Sequence, residues 1–533
     1  MKTIFRSIMA ILTAAAVLAS CNKEVEVVKT MTTDVNAVTD VAASNPAEIS
    51  VALTTNVNWI VQTPEWITPS AVFGSGDAIL TFKVGENYVN ETTTVAPRTG
   101  EIKISGGGSI DGVGVSACVT VSQLGYTYVD PNAPIEQIPD AAEFIDFIKA
   151  INGGNKPTRW MNDNGEVTLS NDIDLSEFTD WQQFVTAANN ANNLSKVEGK
   201  AFSGVFNGNG YKITGFNPTV HLAANQTFGL FSLLNEGVVK NVVLEGNMNV
   251  TAEGQADAGM LVGTAINSTV QNVTVNGKIT SAGTTVAKRF SIGGVCGYAY
   301  AGVIGETDFG TTLFEDCVVN AEVDFVGGSN TANGATCAMY GGICGFATTP
   351  NAANPHKVTI RNCVNNGDMN VKLGRCSGII ATANTGVILE DVTNNGDQVN
   401  AIANGRLGNI VCNVSHYCTL KNCVNNGDLD ATAEGYSGTA GGILALAGSV
   451  SITGIEGGGN YGTIKTLSTA GKYIGLLWAN HNNTIPTKNV IASGRIIVDG
   501  VERDINASNY MEHVGFIKDP SCVTDITWVA PKN

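Results

Sequence analysis

Basic residues are scarce in this chain, and this scarcity limits its partners. Lys and Arg number 30, Asp and Glu number 47, and only 14% of the 533 residues are charged. If the N-terminal segment that carries Lys2 and Arg6 is removed, 28 basic and 47 acidic residues remain, so the net charge is −19. Such a surface repels the phosphates of nucleic acids and the headgroups of anionic membranes. We therefore exclude nucleic acid as a partner.

Motifs for zinc binding and for metalloprotease chemistry are missing. No two cysteines are spaced as Cys-x-x-Cys, and no Cys/His spacing fits a zinc site. The sequence contains no His-Glu-x-x-His motif. Its five histidines are scattered along the chain: His221, His356, His416, His481 and His513. The sequence predicts no cofactor that depends on such motifs.

The apolar run at the N-terminus is too short to span a bilayer. It covers residues 8–18, whereas a transmembrane helix needs roughly 20, and it follows two basic residues, as in a signal peptide. The segment 1–20 ends in Leu-Ala-Ser before Cys21, which resembles the bacterial lipoprotein box. The resemblance implies that Cys21 is acylated and that 21–30 is a tether, so the only membrane contact is the lipid anchor. In Bacteroidota lipoproteins an acidic stretch at this place directs the protein to the exterior face of the outer membrane; the inner leaflet is the alternative.

A repeated pattern fills the chain from about residue 228 to about residue 498. A glycine followed by two mostly apolar residues recurs at intervals of 30 to 48 residues. These glycines are Gly229, Gly259, Gly294, Gly342, Gly378, Gly408, Gly442 and Gly475. A turn phrase follows them, as in Asn-Cys-Val-Asn-Asn-Gly-Asp at 362–368 and 422–428. Repeats of this period predict a solenoid, whose units bury their apolar faces by stacking on their neighbours.

Twelve cysteines in an exported chain would fit a disulfide framework, but their places in the repeat favour another role. Five of them occupy two repeat positions: Cys317, Cys363 and Cys423 in the turn phrase, and Cys296 and Cys344 two residues after the repeat glycine. Other repeats carry Leu, Ile or Phe at the second of these positions, so it is a core position, where Cys acts as a small hydrophobe. We predict that these five thiols are reduced and buried. A local disulfide between Cys412 and Cys418 stays undecided.

Residues 31–126 form a separate unit of short alternating strands, which predicts a β-sandwich. Its landmarks are Val57-Asn-Trp59, Pro64-Glu-Trp66-Ile67, Gly74-Ser-Gly-Asp77, Arg98-Thr-Gly100 and Val119-Thr-Val-Ser-Gln123. Together these landmarks resemble the BACON domain of Bacteroidota surface proteins. The resemblance implies either a carbohydrate-binding module or a spacer next to the lipid anchor. Trp59 and Trp66 are either a platform for sugar rings or core residues, and we predict the core.

A linker, 127–139, precedes the last predicted domain, 140–533. Asp140 is a candidate helix N-cap, and Glu143 follows three residues later, as in a capping box. The segments Leu-x-Asn-Asp-Ile-Asp-Leu and Phe-x-Gly-x-Phe-x-Gly-x-Gly come next and resemble the start of right-handed parallel β-helices of the pectin-lyase type, while the repeats resemble the GLUG motif of bacterial surface proteins. The resemblance implies an all-β chain, in which a β-sandwich precedes a right-handed parallel β-helix with an N-terminal capping helix. Repeated antiparallel hairpins are the alternative.

The phrase Asn-Asn-Gly recurs at 365–367, 394–396 and 425–427. We predict that it forms coil corners with positive φ, and that the stacked Asn side chains hydrogen-bond as a ladder. Three aspartates follow the phrase in register: Asp368, Asp397 and Asp428. Because stacked carboxylates repel, these residues either bind Ca²⁺ or, in the interpretation that we favour, are solvated turn residues.

Polysaccharide cleavage is an alternative function, because pectin-lyase-type folds include hydrolases and lyases. Such hydrolases need paired Asp carboxylates with a nearby His, and such lyases need Ca²⁺-binding acids and an Arg or Lys base. The chain has no Asp-Asp pair and no Gly-His-Gly. Asp172 and Asp174 mimic acid–base partners but lie in a strand common to non-catalytic members, and Arg375, Arg406 and Arg495 are interpreted as surface charges. We therefore predict no catalytic residue.

Trp478 is the candidate glycan-binding aromatic. It is the third residue after the repeat glycine Gly475, and alternation along the strand points it outward if the second position is the buried one. A cover formed by residues 514–516 fits the sequence equally well. The leading hypothesis is a non-catalytic surface lipoprotein whose β-helix presents a face to a glycan or a host surface ligand. The alternatives are a polysaccharide lyase or glycoside hydrolase, and a structural envelope protein.

Overall fold

The chain divides into two compact units, Met1–Ala133 and Pro134–Asn533. The computed structural model describes residues 27–108, 114–128, 130, 133–187, 201–282, 289–302, 310–326, 338–351, 356–371, 374–400, 406–433, 438–447, 454–468, 473–481 and 486–531. Cys21, the predicted lipidation site, lies outside the described residues. No helix within these ranges has the length and apolar character needed to cross a membrane.

Two β-sheets with a shared core make up the N-terminal unit. The four-stranded sheet contains Met31–Thr33, Ile49–Thr55, Ile67–Pro69 and Ala78–Val84, and the five-stranded sheet contains Ala37–Val41, Asn58–Gln62, Phe73–Ser75, Arg98–Gly106 and Val115–Gln123. Successive side chains of Ile49–Thr55 alternate between the core and the surface, because a strand points its side chains to opposite faces. The inward residues Val51, Phe82, Ile104 and Val121 are fully buried. They belong to one apolar cluster that joins the two sheets.

The second unit contains three further sheets, of which one is much longer than the others. The long sheet contains Glu166–Thr168, Ile173–Asp174, Val205–Asn207, Lys212–Phe216, Thr219–Leu222, Val238–Ala252, Thr269–Ala282, Thr312–Val319, Glu322–Val326, Val358–Arg361, Val364–Asn365, Met369–Val371, Val387–Glu390, Thr393–Asn394, Gln398–Asn400, Thr419–Asn425, Leu429–Ala431, Gly454–Asn460, Thr463–Thr466, Thr487–Lys488, Val490–Ala492, Arg495–Val498, Val501–Glu502 and Ile526–Trp528. Each coil of the chain adds one or more strands to this sheet.

The other two sheets of the second unit have nine strands each. The first short sheet contains Thr186–Ala187, Gln226–Phe228, Ala256–Gly259, Phe290–Gly293, Ala338–Gly341, Arg375–Ser377, Arg406–Gly408, Thr439–Gly441 and Tyr473–Gly475. The second short sheet contains Phe231–Asn235, Val262–Ile266, Cys296–Tyr300, Cys344–Thr348, Ile380–Thr385, Val411–His416, Leu444–Ala447, Trp478–His481 and Phe516–Ile517. A strand of the first short sheet leads through two residues into a strand of the second, as from Phe228 to Phe231.

Successive coils pair in parallel, so the second unit is a solenoid. In the long sheet Val242 pairs with Val273, and Val273 pairs with Cys317 of the next coil. The short sheets follow the same rule, as Cys296 pairs with Cys344. Repeated antiparallel hairpins are therefore the wrong alternative. Among the described strands of this unit, antiparallel pairing joins only Thr186–Ala187 to Gln226–Phe228 and Arg495–Val498 to Val501–Glu502.

Positive φ angles mark one corner in six successive coils, but not at the predicted Asn-Asn-Gly phrase. The residues at this corner are Asn241, Asn272, Asp316, Asn362, Asp391 and Asn422, with φ between 49° and 55°. Each immediately precedes a buried Val or Cys, and Asn and Asp tolerate this conformation better than other side chains. The predicted corner at 365–367 is wrong, because Asn365 is a strand residue and Gly367 has no positive φ. Position 367 requires glycine for another reason: a Cβ there would overlap the carbonyl oxygen of Ala321.

The predicted asparagine ladder is present and lies inside the solenoid. Asn365 donates from Nδ2 to Oδ1 of Asn394 at 2.8 Å, Asn394 donates to Asn425 at 2.9 Å, and Asn425 donates to Asn460 at 2.7 Å. All four side chains are fully buried. Each Nδ2 also donates to the carbonyl oxygen two residues along its own chain, as in the 2.8 Å bond from Asn425 to Gly427. The ladder therefore satisfies polar groups that would be costly to bury alone.

One α-helix, Ala141–Asn152, covers the N-terminal end of the coils. Asp140 caps it by accepting a hydrogen bond from the backbone N–H of Glu143 at 3.0 Å. The apolar stripe of the helix packs on the first coils, where the Phe144 and Phe147 rings lie 6.0 and 5.9 Å from the Phe206 ring. This contact shields core residues that no preceding coil covers.

Candidate functional site

The most exposed aromatic side chain among the described residues is Phe73, which is 74% exposed. It lies on the outer face of the five-stranded sheet and pairs with Ile60, which is 51% exposed. Ile60 in turn pairs with Ser105, and Ser105 pairs with Ser116, so two apolar side chains and two serines form a row across four strands. An open groove of about 950 Å³ runs along this row.

The groove combines an apolar platform with hydrogen-bonding groups. Asn58 and Ser75 line it together with the residues of the row and the glycines 106–108. Aromatic rings stack on apolar faces, while hydroxyl and amide groups fix the orientation of a polar ligand. We refer to this surface, formed by Asn58, Ile60, Phe73, Ser75, Ser105 and Ser116, as the Phe73 face. It fits a ligand with one apolar face and several hydroxyl groups.

Trp59 points to the opposite side of the same sheet and supports it from inside. It is 4% exposed, and its Nε1 donates to the carbonyl oxygen of Gly76 at 2.9 Å. Gly74 and Gly106 pack closely here, since a Cβ at Gly74 would overlap the Trp59 ring and a Cβ at Gly106 the carbonyl oxygen of Asn58. The predicted core role of Trp59 is confirmed.

Trp66 lies at the edge of the sandwich core and is half-buried. The Arg98 guanidinium stacks 4.5 Å from the centre of its ring, and burial lowers the pKa of Arg98. Arg98 also donates from Nη2 to the carbonyl oxygens of Gly85 and Glu86 at 2.8 and 3.0 Å. These contacts hold the Trp66 ring against protein groups, so it offers no open platform.

The five cysteines predicted as core residues are buried free thiols: Cys296, Cys317, Cys344, Cys363 and Cys423. Burial raises the pKa of Cys296 well above the usual thiol value, and a hydrogen bond with Cys363 together with burial does the same for Cys317. Burial raises the pKa of Cys423 to about 12. No disulfide joins Cys412 and Cys418, and both side chains are buried. These buried side chains fill space in the solenoid core.

The three aspartates of the turn phrase connect successive coils. Asp368 accepts at Oδ1 from the backbone N–H of Asp397 at 2.8 Å, and Asp397 accepts in the same way from Asp428 at 2.7 Å. Asp428 accepts from Thr463 N–H at 2.8 Å and lies 3.4 Å from Lys465 Nζ. Each carboxylate thus stabilises the backbone of the next coil. Across the described residues no group of three or more His, Cys, Asp or Glu side chains is arranged to hold a metal ion.

Trp478 is fully buried in the solenoid core, so the predicted outward orientation is wrong. The cause is a one-residue error in the predicted register. Gly441 pairs with Gly475, and Leu444 pairs with Trp478, so Trp478 occupies the inward position of its strand. A shift of one residue reverses the face of every side chain in a strand. The C-terminal segment covers this coil, since Trp478 N–H donates to the Val514 carbonyl at 3.1 Å.

The two aspartates considered as catalytic candidates accept hydrogen bonds from the backbone, and one of the arginines is buried. Asp172 accepts at Oδ1 from Lys212 N–H at 2.8 Å, and Asp174 accepts from Ser176 N–H at 3.0 Å, a bond that lowers the pKa of Asp174. Arg375 is 4% exposed, so its interpretation as a surface charge is wrong; its Nη1 donates to Thr382 Oγ1 at 3.0 Å.

The other two arginines are less enclosed. Arg406 is half-buried and donates from Nη1 to Asn413 Oδ1 at 3.4 Å. Arg495 Nε lies 3.5 Å from a Glu502 carboxylate oxygen. Both guanidinium groups therefore contact side chains of their own sheets or the adjacent one.

Comparison with known proteins identifies the N-terminal unit. Residues 54–124 match the BACON family, whose description reads "Putative binding domain, N-terminal", and this range is a BACON domain. A comparison with curated proteins gives no match. Sequence analysis missed the Phe73 face, because Phe73 lies in a three-residue strand without an alternating pattern of its own.

The solved structures that are similar to this chain include the following three. A Bacteroides ovatus GH5 xyloglucanase in complex with a XXXG heptasaccharide is 15% identical over 20% of this chain and 22% of that chain, with a TM-score of 0.15. A "putative immunoglobulin A1 protease" from Bacteroides ovatus is 14% identical over 74% of this chain and 83% of that chain, with a TM-score of 0.30. An IgA1 protease is 13% identical over 80% of this chain and 27% of that chain, with a TM-score of 0.36.

Proposed function

We propose that this chain is a lipid-anchored protein of the outer-membrane surface that binds glycans without cleaving them. The Phe73 face carries the proposal: an aromatic ring that is 74% exposed lies beside Ile60 and a row of hydroxyl groups above a groove of about 950 Å³. A sugar ring has an apolar face that stacks on such a ring and hydroxyls that bond to serine and asparagine side chains. The match of residues 54–124 to a family described as a binding domain supports the same role.

We also propose that the solenoid is a right-handed parallel β-helix of the pectin-lyase type with GLUG-like repeats. Parallel pairing of its coils supports this assignment. Nine coils with strands about 4.8 Å apart give a core roughly 40 Å long.

The first experiment is a binding screen of the full chain against soluble plant and host polysaccharides. At least one should bind without the appearance of new reducing or unsaturated ends. Phe73→Ala should weaken that binding about ten-fold, which corresponds to about 1.4 kcal/mol. Ile79→Ala is the matched control, because Ile79 is 75% exposed but belongs to the four-stranded sheet. Equal binding by both variants would remove the Phe73 face from the proposal, and release of new sugar ends would replace binding with cleavage.

The anchor is tested separately in cells. Cys21→Ala should release the protein from the membrane fraction, because the acyl chains hold it there. Added protease should digest the native form on intact cells. Complete protection on intact cells would place the native protein at the inner leaflet instead.

A further inference from the structure

Two rows of side chains, one from each short sheet, face each other outside the main core. In the first short sheet the row is Thr227, Asp257, Ser291, Met339, Arg375, Arg406, Thr439 and Tyr473, paired in register. In the second it is Leu233, Thr264, Tyr298, Phe346, Thr382, Asn413, Leu446, Asn480 and Phe516. We call the space between these rows the crease. Hydrogen bonds cross it, as from Thr264 Oγ1 to Thr227 Oγ1 at 3.0 Å.

One arginine in the crease binds a carboxylate of the chain itself. Arg289 donates from Nη2 to both carboxylate oxygens of Asp257 at 3.0 Å. Its guanidinium also stacks on the rings of Tyr298 and Phe346, at 4.4 and 4.8 Å from their centres. Asp257 and Arg289 are 5% and 8% exposed, so this pair is enclosed. A guanidinium in the crease thus takes a carboxylate as its partner, which its planar set of donors favours.

Two more arginines lie in the crease, on successive coils. Arg375 pairs with Arg406 in the first short sheet, where neighbouring strands lie about 4.8 Å apart. Arg375 reaches across the crease and donates from Nη1 to Thr382 Oγ1 at 3.0 Å. One coil later Arg406 donates from Nη1 to Asn413 Oδ1 at 3.4 Å. Thr382 and Asn413 are paired in the second short sheet, so the two guanidinium groups occupy equivalent places on neighbouring coils.

The two rows bring like charges together at these coils. Among the described residues of the rows, the one carboxylate is that of Asp257, three coils before Arg375. Two positive charges on adjacent strands repel each other, and the repulsion is strong where water is largely excluded. An anion held against them relieves this repulsion. Because the net charge of the whole chain is −17, the positive charge is a local feature of the crease.

The crease opens to solvent at Arg406. Met339 is fully buried, and Arg375 on the next coil is 4% exposed. In contrast, Arg406 is partly exposed, and so are Thr439 and Leu446 one coil further on. Thr439 follows Arg406 in register, so a ligand reaches the Arg406 guanidinium from the side of Thr439. Arg375 lies one coil deeper and contributes its charge.

We propose that Arg406, with Arg375 behind it, forms a binding site for the carboxylate of a sugar acid. The carboxylate accepts hydrogen bonds from the Arg406 guanidinium, and the charge of Arg375 strengthens the attraction. Arg406 is the contacting residue, and Arg375 is a positioning residue. No covalent bond is made or broken. The choice of a sugar acid over other carboxylates rests on the proposed function, but the site shares no residue with the Phe73 face.

The test is a titration of the full chain with sodium glucuronate and sodium galacturonate in dilute buffer, followed by ligand-observed NMR. At least one acid should bind, and an excess of glucose or galactose should not displace it. Arg406→Gln should weaken binding about ten-fold. Arg406→Lys should restore only part of the affinity, because an ammonium group lacks the planar fork of donors. Arg495→Gln is the matched control, since Arg495 is also partly exposed but lies in the long sheet.

Arg375→Met tests the charge of the positioning residue, because methionine keeps an unbranched side chain without the charge. It should weaken binding of the acid about five-fold and reduce the rise in melting temperature that the acid produces. A purely structural arginine would lower the melting temperature of the ligand-free chain and leave the affinity unchanged. Native-like affinity in both Arg406→Gln and Arg375→Met would overturn the site. Equally tight binding of inorganic sulfate would overturn its assignment to a sugar acid.

Phe73→Ala separates this site from the proposed function, because it should leave binding of the acid unchanged. If neither acid binds but a neutral polysaccharide binds through Phe73, the sugar-acid site falls and the proposed function stands. If an acid binds through Arg406 and no neutral polysaccharide binds, the sugar-acid site stands and the Phe73 face falls.

Discussion

Asn425 and Asn460 are joined by a 2.7 Å hydrogen bond between adjacent coils, with both side chains fully buried. Asn425 Oδ1 also accepts from Asn394 at 2.9 Å, so both Nδ2 and Oδ1 of Asn425 are hydrogen-bonded. A hydrogen bond inside a protein is stronger than one in water, and an unpaired buried polar group is correspondingly costly. The ladder therefore fixes the register of the coils as well as stabilising them.

Asn425→Ala should lower the free energy of unfolding of the solenoid by about 2 kcal/mol, because it leaves the buried Asn460 Oδ1 without its donor and removes one of the two donors to the Gly427 carbonyl, the other being Asn409 Nδ2. Asn426→Ala is the matched control: the adjacent Asn426 donates to Asn395 at 2.8 Å on the surface, where water replaces the bond. Its effect should stay within about 0.5 kcal/mol. Denaturant unfolding followed by circular dichroism measures both. Equal losses of unfolding free energy in the two variants would show that burial of the ladder adds nothing to stability.

The ladder could be predicted from sequence because Asn-Asn-Gly recurs at a nearly constant interval. The conformation of its residues could not. Positive φ belongs to Asn362, three residues before Asn365, and nothing in the residue types separates these two asparagines. What separates them is the direction of the side chain, which depends on pairing between coils.

The orientation of Trp478 could not be predicted from the sequence for the same reason. Three repeats contain two successive glycines, as at Gly341 and Gly342, and either can be taken as the repeat glycine. The strands align Gly259 with Gly293 and with Gly341, the first of each pair. Composition cannot choose between the two, yet the choice decides whether Trp478 is in the core or at the surface.

The buried thiols give a second stability test. Cys363→Asp should destabilise the solenoid by several kcal/mol, because an unpaired charge would be buried at a fully enclosed position. Cys363→Val is the control, since Val273 occupies the position paired with Cys317 in a neighbouring coil. Valine should keep the melting temperature near that of the native chain. A native melting temperature for the Asp variant would show that position 363 faces solvent.

Alkaline pH should weaken the fold through the same side chains. The folded-state pKa of Cys423 is about 12, above the ordinary thiol value of 9.0, because the thiol is buried. Between these values the unfolded chain loses the thiol proton while the folded chain keeps it, so stability falls as pH rises from about 9 to about 12. The loss is about 2 kcal/mol at pH 10.5 for this one group. In Cys423→Val the decline in unfolding free energy between pH 8 and pH 10.5 should be smaller by that amount. An unchanged decline would mean that the thiol ionises in the folded chain.

The Phe73 face could not be found from the sequence for a further reason. Trp59 and Trp66 are the aromatic residues of the sequence landmarks, but neither offers an open ring. Trp59 is buried beneath the sheet, and Arg98 stacks on Trp66. Phe73 is exposed only because its short strand pairs at the sheet edge with Asn58–Gln62. Edge pairing of this kind is a tertiary property. Buried cysteines, in contrast, follow from the repeat alone.

The capping helix provides a prediction for acidic pH. Glu143 accepts from Arg159 at 2.6 and 3.0 Å and from Trp160 Nε1 at 3.1 Å, instead of closing a capping box with Asp140. The hydrogen bond with Arg159 lowers the pKa of Glu143 below its ordinary value of 4.5. A carboxylate whose pKa is lower in the folded chain than in the unfolded chain stabilises the fold at pH values above the unfolded-state pKa. This stabilisation is lost as pH falls through the folded-state pKa. Stability from this pair should therefore be complete at pH 7 and decline below about pH 4.5.

Glu143→Gln should lower the unfolding free energy by about 1 to 2 kcal/mol at pH 7, since hydrogen bonds to a charged partner are stronger than neutral ones. The difference from the native chain should shrink as pH falls below about 4.5, because the unfolded chain then binds a proton that the folded carboxylate resists. Asp146→Asn is the control on the same helix, because its salt bridge with Lys149 is exposed and 3.5 Å long, and it should change stability by less than about 0.5 kcal/mol. Denaturant titrations at pH 3.5 and pH 7 compare the three chains. A Glu143→Gln deficit of the same size at both pH values would show that the glutamate acts through shape rather than charge, and that the Arg159 contact does not hold the helix on the first coils.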